Sequence, residues 1–266
     1  MIKVLVNGFC GRMGTQVIKA VSSQNDMVIV GGFDPAASTD QVVLSGEPIA
    51  PAFKDLASAL EQSKPDVLVD FTSPASIEGN LRIALPTGVD CVVGTTGLSF
   101  ETYSELIKLA PKGTTLFHAP NFTTGAVLMM EFAKTAARYF PDAEVIELHH
   151  NGKKDAPSGT AVSTARSISQ ARKDAGITST APGKATEVDG FEGARGADAY
   201  GVPVHSIRSD GYVAHQEVIF GSPGQTLTIR HDSIERTSYM PGVLLAIREV
   251  GALDGLIIGL ENLLGL

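Results

Sequence analysis

Cysteine is scarce in this chain. Cys10 and Cys91 are the only two, and both sit inside apolar runs. That excludes a disulfide framework and implies a reducing compartment. Basic charge is also in deficit, with 21 Lys and Arg against 29 Asp and Glu for a net charge of −8. An acidic surface repels nucleic acid and anionic membranes, which excludes both as main partners but not a local basic site for a small anion. No apolar run is long enough for a membrane span. The C-terminal GALDGLIIGLENLLGL is interrupted by Asp254 and Glu261 and reads as a buried or interface helix. Tryptophan is absent, as are repeats, low-complexity tracts and a Pro-rich linker. The first ten residues read as a strand, so no signal or transit peptide is expected within the chain. The cytoplasm is the expected location, and a plastid stroma after processing would look the same.

The 266 residues include 28 glycines and are 43% hydrophobic, a composition suited to a soluble α/β protein of two modest domains. Strand-like runs at 2–6, 27–33, 66–71, 91–93 and 115–118 alternate with helix-like stretches at 53–62, 76–85 and 101–109. This order predicts a Rossmann-like parallel sheet with right-handed crossovers, covered on both faces. Each strand ends in a polar loop, and open parallel sheets bind ligands at those carboxyl ends. After about residue 122 the character changes. A long helix is expected at 125–140, a strand at 143–149, a helix at 161–173 and a loop at 178–201. Strands at 204–208, 215–220 and 225–231 follow. They predict a second α+β domain with a mixed or antiparallel sheet. The expected division is a dinucleotide-binding domain over 1–122, completed by 233–266, and a substrate-binding and oligomerisation domain over 123–232.

VLVNGFCGRMG places Gly8, Gly11 and Gly14 between a strand and a helix. Glycines there permit a tight turn and close approach of a pyrophosphate to the helix N-terminus. The spacing is GxxGxxG, with Cys10 where the dinucleotide fingerprint has its middle glycine. Without a ligand, the same loop would be a plain β–α turn. Asp34, twenty residues after Gly14 at the end of the second strand, completes the fingerprint as an acceptor for a ribose hydroxyl. An Asp-Pro turn is its plainer reading.

The densest chemistry lies in ELHHNGKKDAPSGTA, residues 147–161. Adjacent strand residues point to opposite faces, so His149 and His150 would not converge on a metal, and no HExxH or cysteine pair supports one. Asn151-Gly152 suits a tight turn. Beyond it, Asp155 or Ser158 can cap a helix whose first turn contains Pro157. Ser158, Gly159 and Thr160 would then form an anion pocket from free amides and hydroxyls, with Lys153 and His150 nearby. A histidine beside an anion site can protonate a bound organic acid. A reductase of a small carboxylate follows. Ser158 lacks the GxSxG elbow of a serine hydrolase. A non-catalytic NAD(H) sensor is the serious alternative, since it would keep Gly8 to Asp34 without needing His149 or Lys153.

ELHHNGKKDAPSGTA closely resembles the signature of the dihydrodipicolinate reductase family, and VNGFCGRMG, DFTSP, VVGTTGL, APNF and RTSYMPGVLLAIR extend the resemblance over the chain. The resemblance implies that His149 is the acid–base histidine and Lys153 the proton donor. It further implies that His150, Gly159 and Thr160 contact substrate carboxylates. Gly8, Phe9, Cys10, Gly11, Arg12 and Met13, then Gly94, Thr95 and Thr96, then Ala119, Pro120, Asn121 and Phe122, match the cofactor loops. A homotetramer, a dicarboxylate substrate, hydride delivery to ring C4 and a C-terminal return to the nucleotide domain are implied as well. The family often carries an arginine after the acidic residue that ends the second strand; here Pro35 takes that place.

Asp34 repels a 2′-phosphate, and apart from Arg12 no nearby cation could offset it. NADH is therefore the expected cofactor, with NADPH possible. The ratio of specificity constants tests this: a bias toward NADH is expected, and parity or a bias toward NADPH would contradict it.

Overall fold

The computed structural model describes residues 1–178 and 193–266. These divide into two compact units, Met1–Thr124 with Arg236–Leu266, and Gly125–Glu235.

The first unit begins with β1 (Ile2–Asn7), α1 (Arg12–Ser22), β2 (Met27–Phe33), β3 (Gln41–Leu44) and β4 (Glu47–Phe53). It continues through α2 (Leu56–Ser63), β5 (Val67–Asp70), α3 (Ile77–Ala84), β6 (Asp90–Val93), α4 (Phe100–Leu106) and β7 (Thr115–His118). The second unit holds most of α5 (Thr124–Ala136), then β8 (Asp142–His149), α6 (Gly159–Ala175), β9 (Ala197–Ala199), β10 (Val202–Arg208), β11 (Ala214–Ser222) and β12 (Gln225–Ser233). The chain returns to the first unit with α7 (Met240–Glu249), β13 (Gly255–Ile258) and α8 (Glu261–Leu264).

One sheet runs β13-β7-β6-β5-β1-β2-β4-β3. All its pairings are parallel except β3 with β4. The central strands are apolar and buried, with Val4, Leu5, Val6, Leu68, Val69, Val92 and Leu116 inaccessible. Burial of both faces requires such runs, and helical crossovers supply the cover. The expected Rossmann-like sheet is therefore present.

Two details depart from the sequence reading. The apolar C-terminal run is not a helix throughout: Gly255–Ile258 is an edge strand parallel to β7. Gly255 and Gly259 bracket it with φ of +82° and +101°, which breaks helical continuity, while β-branched Ile257 and Ile258 suit the pleat. Strands β3 and β4 also went unanticipated. Pro48 and Pro51 obscure β4, since proline is tolerated only where strand pairing is incomplete; its register with β2 covers only two residue pairs.

The second sheet, β12-β11-β8-β10-β9, is mixed. β8 lies parallel to β10 and antiparallel to β11, as a second α+β sheet was expected to do. Ala143 and Val145 of β8 pack with Ala161, Ala165 and Ile168 of α6. Strand alternation puts Glu147 and His149 on that same covered face. Of the expected loop at 178–201, residues 179–192 lie outside the described residues. The remainder includes β9, a three-residue strand antiparallel to β10 and too short and polar to read from pattern.

Candidate functional site

In the first unit the candidate cofactor residues gather at the carboxyl ends of neighbouring strands. Gly8–Met13 links β1 to α1, Asp34 follows β2, Gly94–Thr96 follows β6, and Ala119–Phe122 follows β7. Gly8 takes φ +77°, and the Gly11 amide donates back to its carbonyl at 3.0 Å. A Cβ on Gly14 would stand 2.2 Å from that same carbonyl oxygen. The third glycine thus lets the helix sit on the turn, while exposed Cys10 fills the middle position without obstruction. Gly11 caps α1 without a side-chain acceptor, so the first-turn amides and the positive end of the helix dipole remain available to an anion. Asp34 accepts from the Cys10 amide at 3.3 Å and the Ala36 amide at 2.9 Å, which holds its carboxylate beside the glycine loop. Partial desolvation against the loop, and then this carboxylate, push the pKa of the otherwise exposed Cys10 thiol up. An uncapped helix start with an adjacent carboxylate fits a diphosphate and a ribose, the two polar parts of a dinucleotide.

Phe9, Ala119 and Phe122 are buried. Their side chains serve the core, with Phe122 against Phe71 and Phe117, so only their backbones can face a ligand. Buried Thr95 has a different task. Its hydroxyl donates at 2.7 Å to Asp70, a buried carboxylate at the end of β5. Asn7 (2.5 Å), Asn80 (3.0 Å) and the Thr72 hydroxyl (2.7 Å) donate to the same group. Asp70 therefore ties together the loops after β1, β5 and β6. Sequence reading missed it, although DFTSP stood out as a motif.

In the second unit Glu147 is 0% exposed and forms the centre of a hydrogen-bonded group. Arg208 grips it bidentately, Nη1 to Oε2 at 2.9 Å and Nη2 to Oε1 at 2.7 Å. The Ser158 amide donates to Oε1 at 3.3 Å, and Nδ1 of His149 meets Oε2. These partners follow from register. Ser206 and Arg208 of β10 lie opposite Glu147 and His149 of β8, so alternation aims all four side chains at one face. Burial alone would raise the Glu147 pKa. Hydrogen bonds from His149, Arg208 and Ser206 outweigh it and hold the group at about 2. Because an ionised carboxylate can only accept, His149 must donate from Nδ1, which leaves Nε2 free.

His150 lies exposed beyond the end of β8. The amide of Lys153 donates to its carbonyl at 3.1 Å, closing a turn across Asn151-Gly152. No strand follows, so the turn is local and leads into a helix. Lys153 Nζ contacts both carboxylate oxygens of Asp155 at 2.8 and 2.9 Å. Ser158 caps α6, its Oγ accepting from the Ala161 amide at 3.2 Å. Of the two caps weighed, Ser158 is the one used, and Pro157 precedes it rather than entering the first turn. Gly159 and Thr160 begin the helix, where amides lack intrahelical acceptors. A single stretch of fifteen residues thus carries His149, His150, Lys153, Ser158, Gly159 and Thr160 from the end of β8 to the start of α6. Glu147 and Arg208, which orient it, were not identified from sequence. Glu147 opens the motif, but nothing in the pattern marked Arg208, 61 residues further on, as its partner.

Comparison with known proteins agrees with the motif. The family model Dihydrodipicolinate reductase, N-terminus, matches residues 2–122, and Dihydrodipicolinate reductase, C-terminus, matches residues 125–264. The chain belongs to the dihydrodipicolinate reductase family. A 4-hydroxy-tetrahydrodipicolinate reductase of Listeria monocytogenes serotype 4b is 48% identical over 99% of this chain and 100% of its own. One from Enterococcus faecalis is also 48% identical, with the same coverage of both chains. Among solved structures, a dipicolinate-bound dihydrodipicolinate reductase from Paenisporosarcina sp. TG-14 superposes with a TM-score of 0.85. It is 38% identical and covers 98% of this chain and 99% of that one. An amine dehydrogenase from Mycobacterium smegmatis shares the fold at a TM-score of 0.64 and 18% identity. Among the described residues, no helix is long and apolar enough to cross a membrane.

The depressed pKa of Glu147 gives a signed pH dependence. Its stabilisation is complete above the ordinary carboxylate range and is lost as pH falls toward about 2. Urea unfolding followed from pH 6 to pH 3 is expected to show a falling midpoint. Glu147→Gln, which strands Arg208 in a buried position, is expected to cost about 3 kcal/mol at neutral pH and to flatten that fall. An unchanged slope in the variant would contradict the assignment.

Proposed function

We propose that this protein reduces 4-hydroxy-tetrahydrodipicolinate, the substrate named for its relatives, with a nicotinamide cofactor. The observation that carries the reading is the Glu147–His149 pair, tied to the start of α6 by the Ser158 amide across the loop that carries Lys153. Bound reduced nicotinamide supplies a hydride, which the family resemblance assigns to ring C4. The chain's own residues handle charge and protons. Gly159 and Thr160 amides, the Ser158 hydroxyl and His150 hold the substrate carboxylates. Lys153 Nζ holds the proton that quenches electron density developing on the nitrogen side of the ring. His149, donating from Nδ1 to Glu147, keeps Nε2 available for acid–base exchange. Positioning and electrostatics account for much of the protein's part in such a reaction.

Gly8, Phe9, Cys10, Gly11, Arg12, Met13, Asp34, Gly94, Thr95, Thr96, Ala119, Pro120, Asn121 and Phe122 are assigned to the cofactor, with NADH favoured. The anionic Asp34 beside the glycine loop supports that preference. The first unit is accordingly the nucleotide domain, and the second the substrate and assembly domain. Two free cysteines are consistent with a reducing cytoplasm. A homotetramer built through the second sheet is the proposed assembly. Exposed Ile207 gives the face of that sheet away from α6 apolar surface for partners, and sedimentation should return the mass of four chains rather than one.

The decisive assay follows absorbance at the NADH band with freshly generated substrate. Oxidation that requires the substrate is expected; NADH binding without turnover would instead favour a sensor. His149→Gln and Lys153→Ala should each lower turnover by about two orders of magnitude, as for lost acid–base groups. NADH affinity should persist in both. Near-normal turnover in both variants would remove their assigned roles.

A further inference from the structure

The loop between β8 and α6 is anchored along its main chain at three points. The Lys153 amide donates to the His150 carbonyl at 3.1 Å. Arg208 Nη2 donates to the Asp155 carbonyl at 2.7 Å. The Ser158 amide donates to Glu147 at 3.3 Å. Because these bonds use backbone groups of the loop, they leave the side chains of Lys153 and Asp155 able to change partners without moving it.

The Asp155 side chain is 57% exposed, against 22% for Lys153. Both of its oxygens lie within hydrogen-bond distance of Nζ, at 2.8 and 2.9 Å. Its carboxyl is held below the usual range by Lys153 first of all, and the Gly159 amide contributes in the same direction. An ionised carboxylate therefore already occupies the Lys153 ammonium. The proposed function sets that same ammonium at the nitrogen side of the substrate ring, the side that the two carboxylates of a 2,6-dicarboxylate flank.

We infer that Asp155 is a placeholder carboxylate, which occupies Lys153 until a substrate carboxylate displaces it. The inference rests on the proposed substrate site. Exchange of one carboxylate for another keeps the ammonium paired at every stage, so Lys153 is never left as an isolated, partly buried cation. The exchange also reduces apparent affinity, because only the fraction of molecules with Asp155 swung away is competent to bind. On this account Asp155 is a positioning residue that sets affinity and keeps the lysine in place. It takes no proton from the substrate.

The probe is pyridine-2,6-dicarboxylate, an unreactive planar dicarboxylate, titrated calorimetrically into the full chain. Wild type, Asp155→Asn, Lys153→Ala and the double variant are compared at equal ionic strength, with Asp155→Ala as a second removal of the charge. If Asp155 occupies Lys153 most of the time, either removal should tighten binding about threefold or more. That gain should disappear on the Lys153→Ala background, as expected for coupled neighbours. Unchanged or weaker binding in both Asp155 variants would overturn the placeholder, as would a gain that persists without Lys153. The wild-type and Lys153→Ala titrations test the underlying site separately. Binding that Lys153→Ala does not weaken would overturn the substrate-site reading and the inference with it. A site that passes this test but shows no Asp155 gain overturns the inference alone.

Discussion

The second unit is organised around one buried charge. Glu147 lies beneath α6 with no exposure, and an isolated carboxylate there would protonate rather than remain charged. Arg208 removes that option by placing two guanidinium hydrogen bonds on it. With the charge fixed, the remaining acceptor capacity organises its neighbours. It takes the His149 ring on one oxygen and the Ser158 amide on the other. The strand that ends in His149 and the helix that starts at Gly159 are thus tied to the same group. A buried ion pair of this kind adds little net stability compared with apolar packing. What it supplies is orientation.

The first unit uses the same device without a cation. Asp70 is buried at the end of β5 and satisfied by the neutral donors Asn7, Asn80, Thr72 and Thr95. Three loops at the carboxyl edge of the sheet are thereby held in register with one another. Each unit therefore places a buried acid behind its polar loops. One fixes the orientation of a histidine ring; the other fixes main chain around a helix start suited to phosphate.

Elements whose periodicity was undiluted could be read from sequence. The strand at Met27–Phe33 and the strand at Thr115–His118 have the expected bounds, because a parallel strand centres on a short apolar run bounded by turn residues. The strand at Gly255–Ile258 could not be read, since four apolar residues embedded in a longer apolar run suit a helix equally well. Its glycine boundaries act through backbone conformation, which composition does not convey. At the site, local motif residues were legible because the turn, the cap and the strand end are contiguous. Arg208 and Asp70 were not, because their importance arises only when β10 is paired with β8 and when three loops meet at one sheet edge. Pairing across long stretches of chain is a property of the fold.

The central claim is that Glu147 remains ionised and fixes the His149 ring with its proton on Nδ1. Long-range nitrogen–proton correlation NMR on the full chain, with 15N-labelled histidine at a pH where His149 is neutral, reads the tautomer directly. The expected spectrum shows His149 protonated at Nδ1, with Nε2 as the unprotonated nitrogen. A His149 signal protonated at Nε2, with Nδ1 bare, would contradict the account.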